Sequence, residues 1–313
     1  MSGTRPDGTG ATAVLVTGAG GLLGTPLVSR LHAAGRRVLR LVRRDPRAAD
    51  EITLDPARGT FADGALDGVG AVVHLAGEPV PGRWTAEKRR RIVESRSAAT
   101  ARLCEALAAL PAPPGTLVAA SAVGFYGDRG DELLDETSGA GTGFLAEVAT
   151  AWEVACAPAA RAGIRVVNLR FGMVLARRGG ALEPLLAVFR LGLGGKFGNG
   201  RQWMSWIALE DALAAIEWAL KTPALRGPIN TVAPGMVRNR EFARTLGRVL
   251  GRPALFPAPA FAMRVLLGPM ADELLLASQR AVPRRLSESG FRFRTPELEA
   301  TLRRLLGREV LTA

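Results

Sequence analysis

The amino-acid sequence predicts an α/β fold, a parallel doubly wound sheet followed by a small C-terminal helical domain. Along the first half of the chain, short apolar, β-branched runs alternate with segments of helical period, as in a sheet covered on both faces. A glycine-rich turn joins the first run to the first helix, and beyond Pro253 the pattern changes to proline-rich connections and short helices. We therefore expect a disordered tail over residues 1–11, a sheet domain over 12–250 and a helical domain over 251–313.

The strands are predicted, in order, at Val14 to Thr17, Arg37 to Val42, Ala71 to Leu75, Leu117 to Ser121 and Arg165 to Leu169. The helices are predicted at Thr25 to Ala34, Glu87 to Leu110, Phe144 to Ala162, Phe261 to Leu267, Asp272 to Ala277 and Pro296 to Leu306. This alternation favours parallel strands joined by right-handed crossovers. Ligands of such sheets bind at the carboxyl ends of the strands.

Composition and charge narrow the class of protein. The net charge of +12 would suit nucleic-acid binding, but the one dense basic run is Lys88 to Arg91 and the other arginines are scattered. Apolar stretches fall short of the roughly 20 residues of a membrane helix, and the tail resembles no signal peptide. Cys104 and Cys156 lack C-x-x-C spacing and are interpreted as buried, inert thiols. The sequence thus predicts a cytoplasmic protein that binds neither membranes nor nucleic acid.

The glycine-rich turn carries the first functional signal. Gly18, Gly21 and Gly24 follow the strand that ends at Thr17 and give the pattern G-x-x-G-x-x-G. Such glycines close the turn, let the backbone approach a pyrophosphate and bring the helix N-terminus towards it. The pattern predicts a Rossmann-like dinucleotide site, against the alternative of a turn with only a packing role.

Two arginines at the end of the second strand indicate which dinucleotide binds. Arg43 and Arg44 occupy the position where an acidic residue would bind the ribose 2′-hydroxyl and an arginine would bind a 2′-phosphate. Planar guanidinium groups suit phosphate oxygens, so the sequence favours NADP. The alternatives are two solvated arginines, or a contact between Asp45 and a diol.

Several further motifs resemble the extended short-chain dehydrogenase/reductases, and most closely their atypical branch of NADP-dependent epimerases. These motifs are residues 16–24, 73–78, 120–127, 169–175, 189–195 and 200–206, with Trp84 and residues 94–96. The resemblance implies a cofactor site formed by Gly18, Gly21, Leu22, Leu23, Arg43, Arg44, Leu75, Ala76, Arg96 and Val174. Without it, Arg96 would be interpreted as an exposed helical arginine and Val174 as a core residue.

The chain departs from this family in its chemistry. The wider family uses a Tyr-x-x-x-Lys pair with a Ser or Thr, but Tyr126 is the one tyrosine here and no lysine follows it by four residues. Counting back from Glu153 on the helix that usually carries the pair, the two positions fall at Leu145 and Ala149, which cannot titrate. The usual general acid and base are therefore missing.

Three residues are candidate replacements. Glu78 follows the strand that ends at Leu75, where a carboxylate would project towards the nicotinamide, although pairing with Arg83 or another arginine is the alternative. Ser121 ends the next strand and either faces substrate or bonds to the backbone, since an ungapped count puts Ala122 at the usual position. Tyr126 either donates a proton or walls the pocket.

A second glycine-rich stretch, residues 192–206, resembles a substrate loop. Arg201 and Gln202 would hold an anionic or carbonyl-bearing ligand while Trp203 covers its apolar face, unless Trp203 and Trp206 alternate in burial. Of the two histidines, His74 is expected in the core and His32 on the surface, so we predict no metal site.

The sequence thus indicates an NADP-dependent oxidoreductase or epimerase with an unidentified small-molecule carbonyl or alcohol substrate. The alternative is an NADP(H)-binding sensor or regulatory protein without turnover, which the missing tyrosine and lysine favour. A two-fold homodimer is common in this fold class, and fold analogy defines the scaffold better than the activity.

Overall fold

The computed structural model describes residues 13–55 and 58–308. The predicted tail, residues 1–11, lies outside the described residues. In chain order the elements are β1 (Ala13–Thr17), α1 (Gly24–Ala33), β2 (Val38–Leu41), β3 (Glu51–Ile52), β4 (Val69–His74), α2 (Ala86–Arg96), α3 (Ala98–Ala108), β5 (Thr116–Ala122), a 3-10 helix (Val123–Tyr126), β6 (Leu133–Leu134), α4 (Phe144–Val154), α5 (Ala157–Arg161), β7 (Arg165–Phe171), β8 (Met173–Leu175), α6 (Leu182–Arg190), β9 (Trp203–Met204), β10 (Trp206–Ala208), α7 (Leu209–Lys221), β11 (Gly227–Thr231), β12 (Val237–Arg238), α8 (Asn239–Leu250), α9 (Ala260–Leu267), a π-helix (Ala271–Leu276), β13 (Arg280–Ala281), α10 (Arg284–Glu288) and α11 (Leu298–Leu305).

Seven parallel strands form the central sheet, in the order β11-β7-β5-β4-β1-β2-β3. Val16 of β1 pairs with Val73 of β4, and Val73 pairs in turn with Val118 of β5. The chain starts in the middle of the sheet and winds outwards in both directions, which confirms the predicted doubly wound, Rossmann-like class. Because all strands are parallel, β1, β4, β5 and β7 end at one edge, where a ligand is expected.

The core lies on both faces of this sheet. Alternate residues of β1 point to opposite sides, so Val14 and Val16 pack against α1 and α7, while Leu15 packs against α3 on the other face. Cys104 and Cys156 lie in this second layer, both buried. The sheet is therefore covered by helices on each side, as the apolar strand sequences predict.

Two long helices predicted from the sequence are each broken in the structure. The predicted helix Glu87 to Leu110 divides into α2 and α3 at Ser97, whose hydroxyl donates to the Val93 carbonyl at 2.9 Å. The predicted helix Phe144 to Ala162 divides into α4 and α5, because Pro158 has no N–H to continue the helical hydrogen bonds. Both predictions were correct in location and wrong in continuity.

The C-terminal part is a small helical region, as predicted. Leu298 and Leu302 of α11 pack with Phe242 and Leu246 of α8 in a third apolar cluster. A short strand pair, β6 with β13, joins this region to the segment after β5, and a second pair, β9 with β12, lies within the sheet domain. Within residues 13–55 and 58–308, no helix has the length and apolar character needed to cross a membrane.

Candidate functional site

The glycine-rich turn is packed against the end of β4. Gly18 has a φ of +67°, and a Cβ there would lie 2.8 Å from the Ala76 nitrogen. A Cβ on Gly24 would lie 2.1 Å from the Gly18 carbonyl oxygen, so neither glycine tolerates a side chain. A Cβ on Gly20 would meet nothing within 4 Å. The turn is therefore tight on its inner side and open on its outer side.

No side chain caps the N-terminus of α1, the helix that follows this turn. Leu23 is the N-cap, and the first turn of the helix contains no acidic residue. An uncapped N-terminus carries a partial positive charge and favours an anion. The Leu22 side chain lies against the Gly179–Gly180 turn, where a Cβ on Gly180 would be 3.3 Å from the Val174 carbonyl. The turn and the loop after β8 thus flank one opening.

The two arginines after β2 differ in their contacts. Arg44 donates from Nη1 and Nη2 to the two carboxylate oxygens of Glu51, both at 2.8 Å. This pairing, with the Arg47 amide, lowers the pKa of Glu51 to about 2. Arg43 is exposed and has no hydrogen bond or ion pair among the residues that the structure describes. One guanidinium is therefore committed to the protein and the other is available to a ligand.

Arg96, on α2, lies at the same edge of the sheet. Its guanidinium carbon is 3.1 Å from where a Cβ on Gly77 would be, and its Nη1 donates to the Glu78 carbonyl at 2.9 Å. Its guanidinium also stacks on the Trp152 ring at 4.8 Å. Burial lowers the pKa of Arg96 to about 10, and the nearby Glu78 carboxylate, which is paired with Lys88, opposes this shift. A buried guanidinium that forms no salt bridge of its own with the described residues suits an anionic or hydroxyl-bearing ligand.

A buried network beneath the turn fixes the ends of β1 and β4. The His74 ring lies between Thr17 Oγ1, 2.7 Å from Nδ1, and Thr100 Oγ1, 2.9 Å from Nε2. Thr17 Oγ1 also accepts from the Leu75 and Ala76 amides, both at 3.2 Å. Burial lowers the pKa of His74 to about 4. His74 is therefore a neutral core imidazole, as the sequence predicted.

Ser121 and Tyr126 belong to a second buried network. Ser121 Oγ donates to Glu153 at 2.7 Å, and Glu153 is paired with Arg170 at 2.7 Å. The Tyr126 hydroxyl, fully buried, donates to Asn230 Oδ1 at 2.7 Å and accepts from Arg170 Nη1 at 3.1 Å. Burial raises the pKa of Tyr126. Both hydroxyls are occupied within the protein, an arrangement that anchors the loop after β5.

Glu78 projects beyond β4 but is paired. Its Oε1 accepts from Lys88 Nζ at 2.8 Å and lies 3.5 Å from Arg91 Nε. The Lys88 ammonium lowers the pKa of Glu78 below its usual range. The alternative considered from the sequence was pairing with Arg83 or another arginine; the partners are Arg91 and, more closely, Lys88, both on α2. A lowered pKa makes this carboxylate a weaker proton acceptor.

A cavity of about 350 Å³ lies between the sheet domain and the helical region. Its lining comes from the loop 124–128, the start of α4, the glycine loop 198–202, α9 and the π-helix. Leu145, at the position counted for the family's tyrosine, is part of it. The cavity's volume lies in the range of small-molecule sites. Of the described residues, Glu78, Ser121 and Tyr126 do not line it.

The predicted substrate residues are separated. Gln202 lines the cavity and is 7% exposed. Trp203 donates from Nε1 to Asp131 at 2.8 Å, and the guanidiniums of Arg238 and Arg280 both stack on its ring at 4.6 Å. Arg201 accepts from Arg238 through its carbonyl and does not line the cavity. Of the three, Gln202 is thus placed to contact a ligand there.

Three carboxylates line the cavity, Asp128, Asp272 and Glu273, and the sequence analysis selected none of them as a site residue. Glu273, on the π-helix, accepts from the Leu145 amide through Oε2 at 2.7 Å. Asp128 accepts from the Ser278 amide at 3.1 Å. Asp128 lies six residues after the end of β5. Glu78 was selected because it closely follows a predicted strand, and the same argument could have selected Asp128. Glu273 is 128 residues from its contact and gave no comparable signal in the sequence.

Comparison with known proteins agrees with this geometry. Residues 14–232 match the NAD dependent epimerase/dehydratase family model, and residues 258–305 match a domain of unknown function, DUF1731. Epimerase family protein Mb2239 of Mycobacterium bovis is 43% identical over 281 residues, 90% of this chain and 93% of that protein. Human epimerase family protein SDR39U1 is 36% identical over 297 residues, 94% of this chain and 99% of that protein.

Solved structures give the same result. The crystal structure of human SDR39U1 (isoform 2) with NADPH has a TM-score of 0.86 at 34% identity, covering 95% of this chain and 100% of that one. The nucleoside-diphosphate sugar epimerase from Corynebacterium glutamicum has a TM-score of 0.78 at 38% identity, covering 96% of this chain and 59% of that one. With its match over residues 14–232, the chain belongs to the NAD dependent epimerase/dehydratase family.

Proposed function

We propose that the protein is an NADP-dependent oxidoreductase or epimerase acting on a small carbonyl or alcohol. The observation that carries the proposal is the unpaired Arg43, which follows β2 in a fold whose glycine turn leaves its outer side open. A guanidinium at this position suits a 2′-phosphate. The family membership, and the NADPH in the human SDR39U1 structure, support it.

Each predicted cofactor residue then has a role. The amides of the turn from Gly18 and Gly21 to Leu22 and Leu23 would face the pyrophosphate at the N-terminus of α1. The cofactor, when bound, supplies hydride exchange at its nicotinamide. The remaining contacts would come from the ends of β2, β4, α2 and β8: Arg43, Leu75, Ala76, Arg96 and Val174. Arg44 would act through its backbone, because its guanidinium is bonded to Glu51.

The proton-transfer group is proposed to be a carboxylate. Of the three predicted candidates, Ser121 and Tyr126 have occupied hydroxyls and Glu78 has a lowered pKa. Glu273 lies in the cavity and contacts the backbone of Leu145, the position counted for the tyrosine. We propose that the Glu273 carboxylate exchanges with the substrate the proton that the tyrosine exchanges elsewhere in the family, with Glu78 as second candidate.

A sensor without turnover is the second candidate function. The specific observation is that Leu145 and Ala149 stand where the family's tyrosine and lysine are expected, and α4 supplies no phenol or amine. A protein of this kind would bind NADPH and signal its presence without oxidising it. The unfilled cavity, with the side chains of Gln202 and Glu273 in its lining, favours the enzyme over this alternative.

The experiment is a titration with NADPH followed by incubation with a panel of carbonyl compounds, monitored by loss of NADPH absorbance. Turnover that falls in Glu273→Gln but not in the exposed control Glu94→Gln would support the enzyme and its carboxylate. Equal rates in both variants would exclude Glu273 as the proton-transfer group. Tight binding of NADPH without turnover of any compound would favour the sensor.

A further inference from the structure

The cavity beside α4 carries a net negative charge, although the chain as a whole is strongly positive. The protein has 41 lysines and arginines against 29 aspartates and glutamates, a net charge of +12. The cavity is lined by three carboxylates, Asp128, Asp272 and Glu273, and one guanidinium, Arg264, which gives −2. Arg264 is paired with Asp272 at 2.8 Å, so the charges of Asp128 and Glu273 are not offset by a lining cation. The lining of the cavity therefore has an excess of negative charge that the rest of the chain does not share.

These two carboxylates present free acceptors. Glu273 Oε2 accepts from the Leu145 amide at 2.7 Å, and Asp128 Oδ1 accepts from the Ser278 amide at 3.1 Å. The second oxygen of each, Oε1 and Oδ2, has no hydrogen-bond partner within the described chain. The backbone contacts therefore fix the side chains and leave one oxygen of each for a ligand.

A buried amide adds a third acceptor. Gln202 is 7% exposed, and its Nε2 donates to the carbonyls of Leu275 at 3.0 Å and Phe197 at 3.3 Å. These bonds fix the orientation of the amide, and Oε1 is left without a partner among residues 13–55 and 58–308. Because two carbonyls hold Nε2, Oε1 remains as the acceptor that Gln202 offers to a ligand in the cavity. The side chain therefore points to a ligand that carries hydrogen-bond donors.

We infer that this cavity selects a substrate with several hydrogen-bond donors and no negative charge, a polyhydroxy or amine-bearing carbonyl or alcohol, and excludes nucleoside diphosphate sugars. The inference rests on the proposed function, in which this cavity holds the substrate. A diphosphate offers only acceptors and adds negative charge where acceptors and two carboxylates already lie. The volume of about 350 Å³ is also near the small end of ligand sites.

The test compares binding of D-glucosamine and UDP-glucose by calorimetry, using protein already loaded with NADPH so that the cofactor site is occupied. Two double variants are compared with the natural protein. Asp128→Asn with Glu273→Gln removes the cavity charge and keeps the amide contacts. Glu94→Gln with Glu288→Gln changes the total charge equally at exposed positions outside the cavity.

We expect the natural protein to bind glucosamine and not UDP-glucose. In the cavity variant, glucosamine affinity should fall at least about tenfold while the surface variant stays unchanged. Tighter binding of UDP-glucose than of glucosamine by the natural protein would overturn the inference, as would failure of both compounds to bind any of the proteins. Failure to load NADPH would instead count against the proposed function, and the same titrations on the cofactor-free protein would still test the cavity.

Discussion

Replacing Arg43 with alanine is expected to weaken NADPH binding strongly and NADH binding hardly at all. Arg43 is exposed and unpaired within the described residues, so the substitution disturbs no internal contact. A hydrogen bond to a charged group contributes about 1.5–3 kcal/mol, which predicts a loss of about 10- to 100-fold in NADPH affinity. Without a 2′-phosphate, NADH affinity should change by less than about twofold.

The matched control is Arg44→Ala, one residue further along the chain. Arg44 is bonded to both carboxylate oxygens of Glu51, so its removal should lower thermal stability and leave the ratio of NADPH to NADH affinity unchanged. The assay is a fluorescence titration of each variant with both cofactors. Equal losses for NADPH and NADH in Arg43→Ala, or a larger change of the ratio in Arg44→Ala, would refute the reasoning.

Three further predictions concern stability and reactivity. The folded-state pKa of His74, about 4, lies below the unfolded value of about 6.5, so the unfolded state takes up the proton first as pH falls. Urea unfolding should show about 2 kcal/mol lost between pH 7 and pH 5, a loss largely absent in His74→Gln. Arg170→Met leaves the largely buried Glu153 carboxylate without its cationic partner and should cost about 3 kcal/mol in urea unfolding, against less than about 0.5 kcal/mol for the exposed Arg90→Met. Cys104 and Cys156 are both buried, and the neighbouring Cys104 thiol together with burial raises the pKa of Cys156. Both thiols should therefore resist Ellman's reagent until the protein unfolds, and rapid labelling of the native protein would contradict this.

The central sheet could be predicted because its signals are local. Buried β-branched runs, helical periods and the glycine turn each act over a few residues. Together they predicted five of the seven strands and the parallel arrangement of the sheet. The two strands that were missed are β3, which has two residues, and β11, which begins with Gly227 and Pro228. Neither has the length or composition of a typical strand signal.

The site was predicted less completely because its contacts are made over long distances in the chain. The packing of Gly18 on Ala76 follows from the sequence motif, whereas Glu273 reaches Leu145 across 128 residues. Ser121 illustrates a problem of register: the strand turns its side chain inward to Glu153, and a shift of one residue exchanges the two faces. Local patterns thus predicted the packing of the glycine-rich turn better than the cavity.

The most direct test of the account is an equilibrium titration of the natural protein with NADPH and NADH at the same ionic strength. The unpaired guanidinium of Arg43 predicts that NADPH binds at least about tenfold more tightly than NADH. Equal affinity for the two cofactors, or no binding of either, would contradict the assignment of this site.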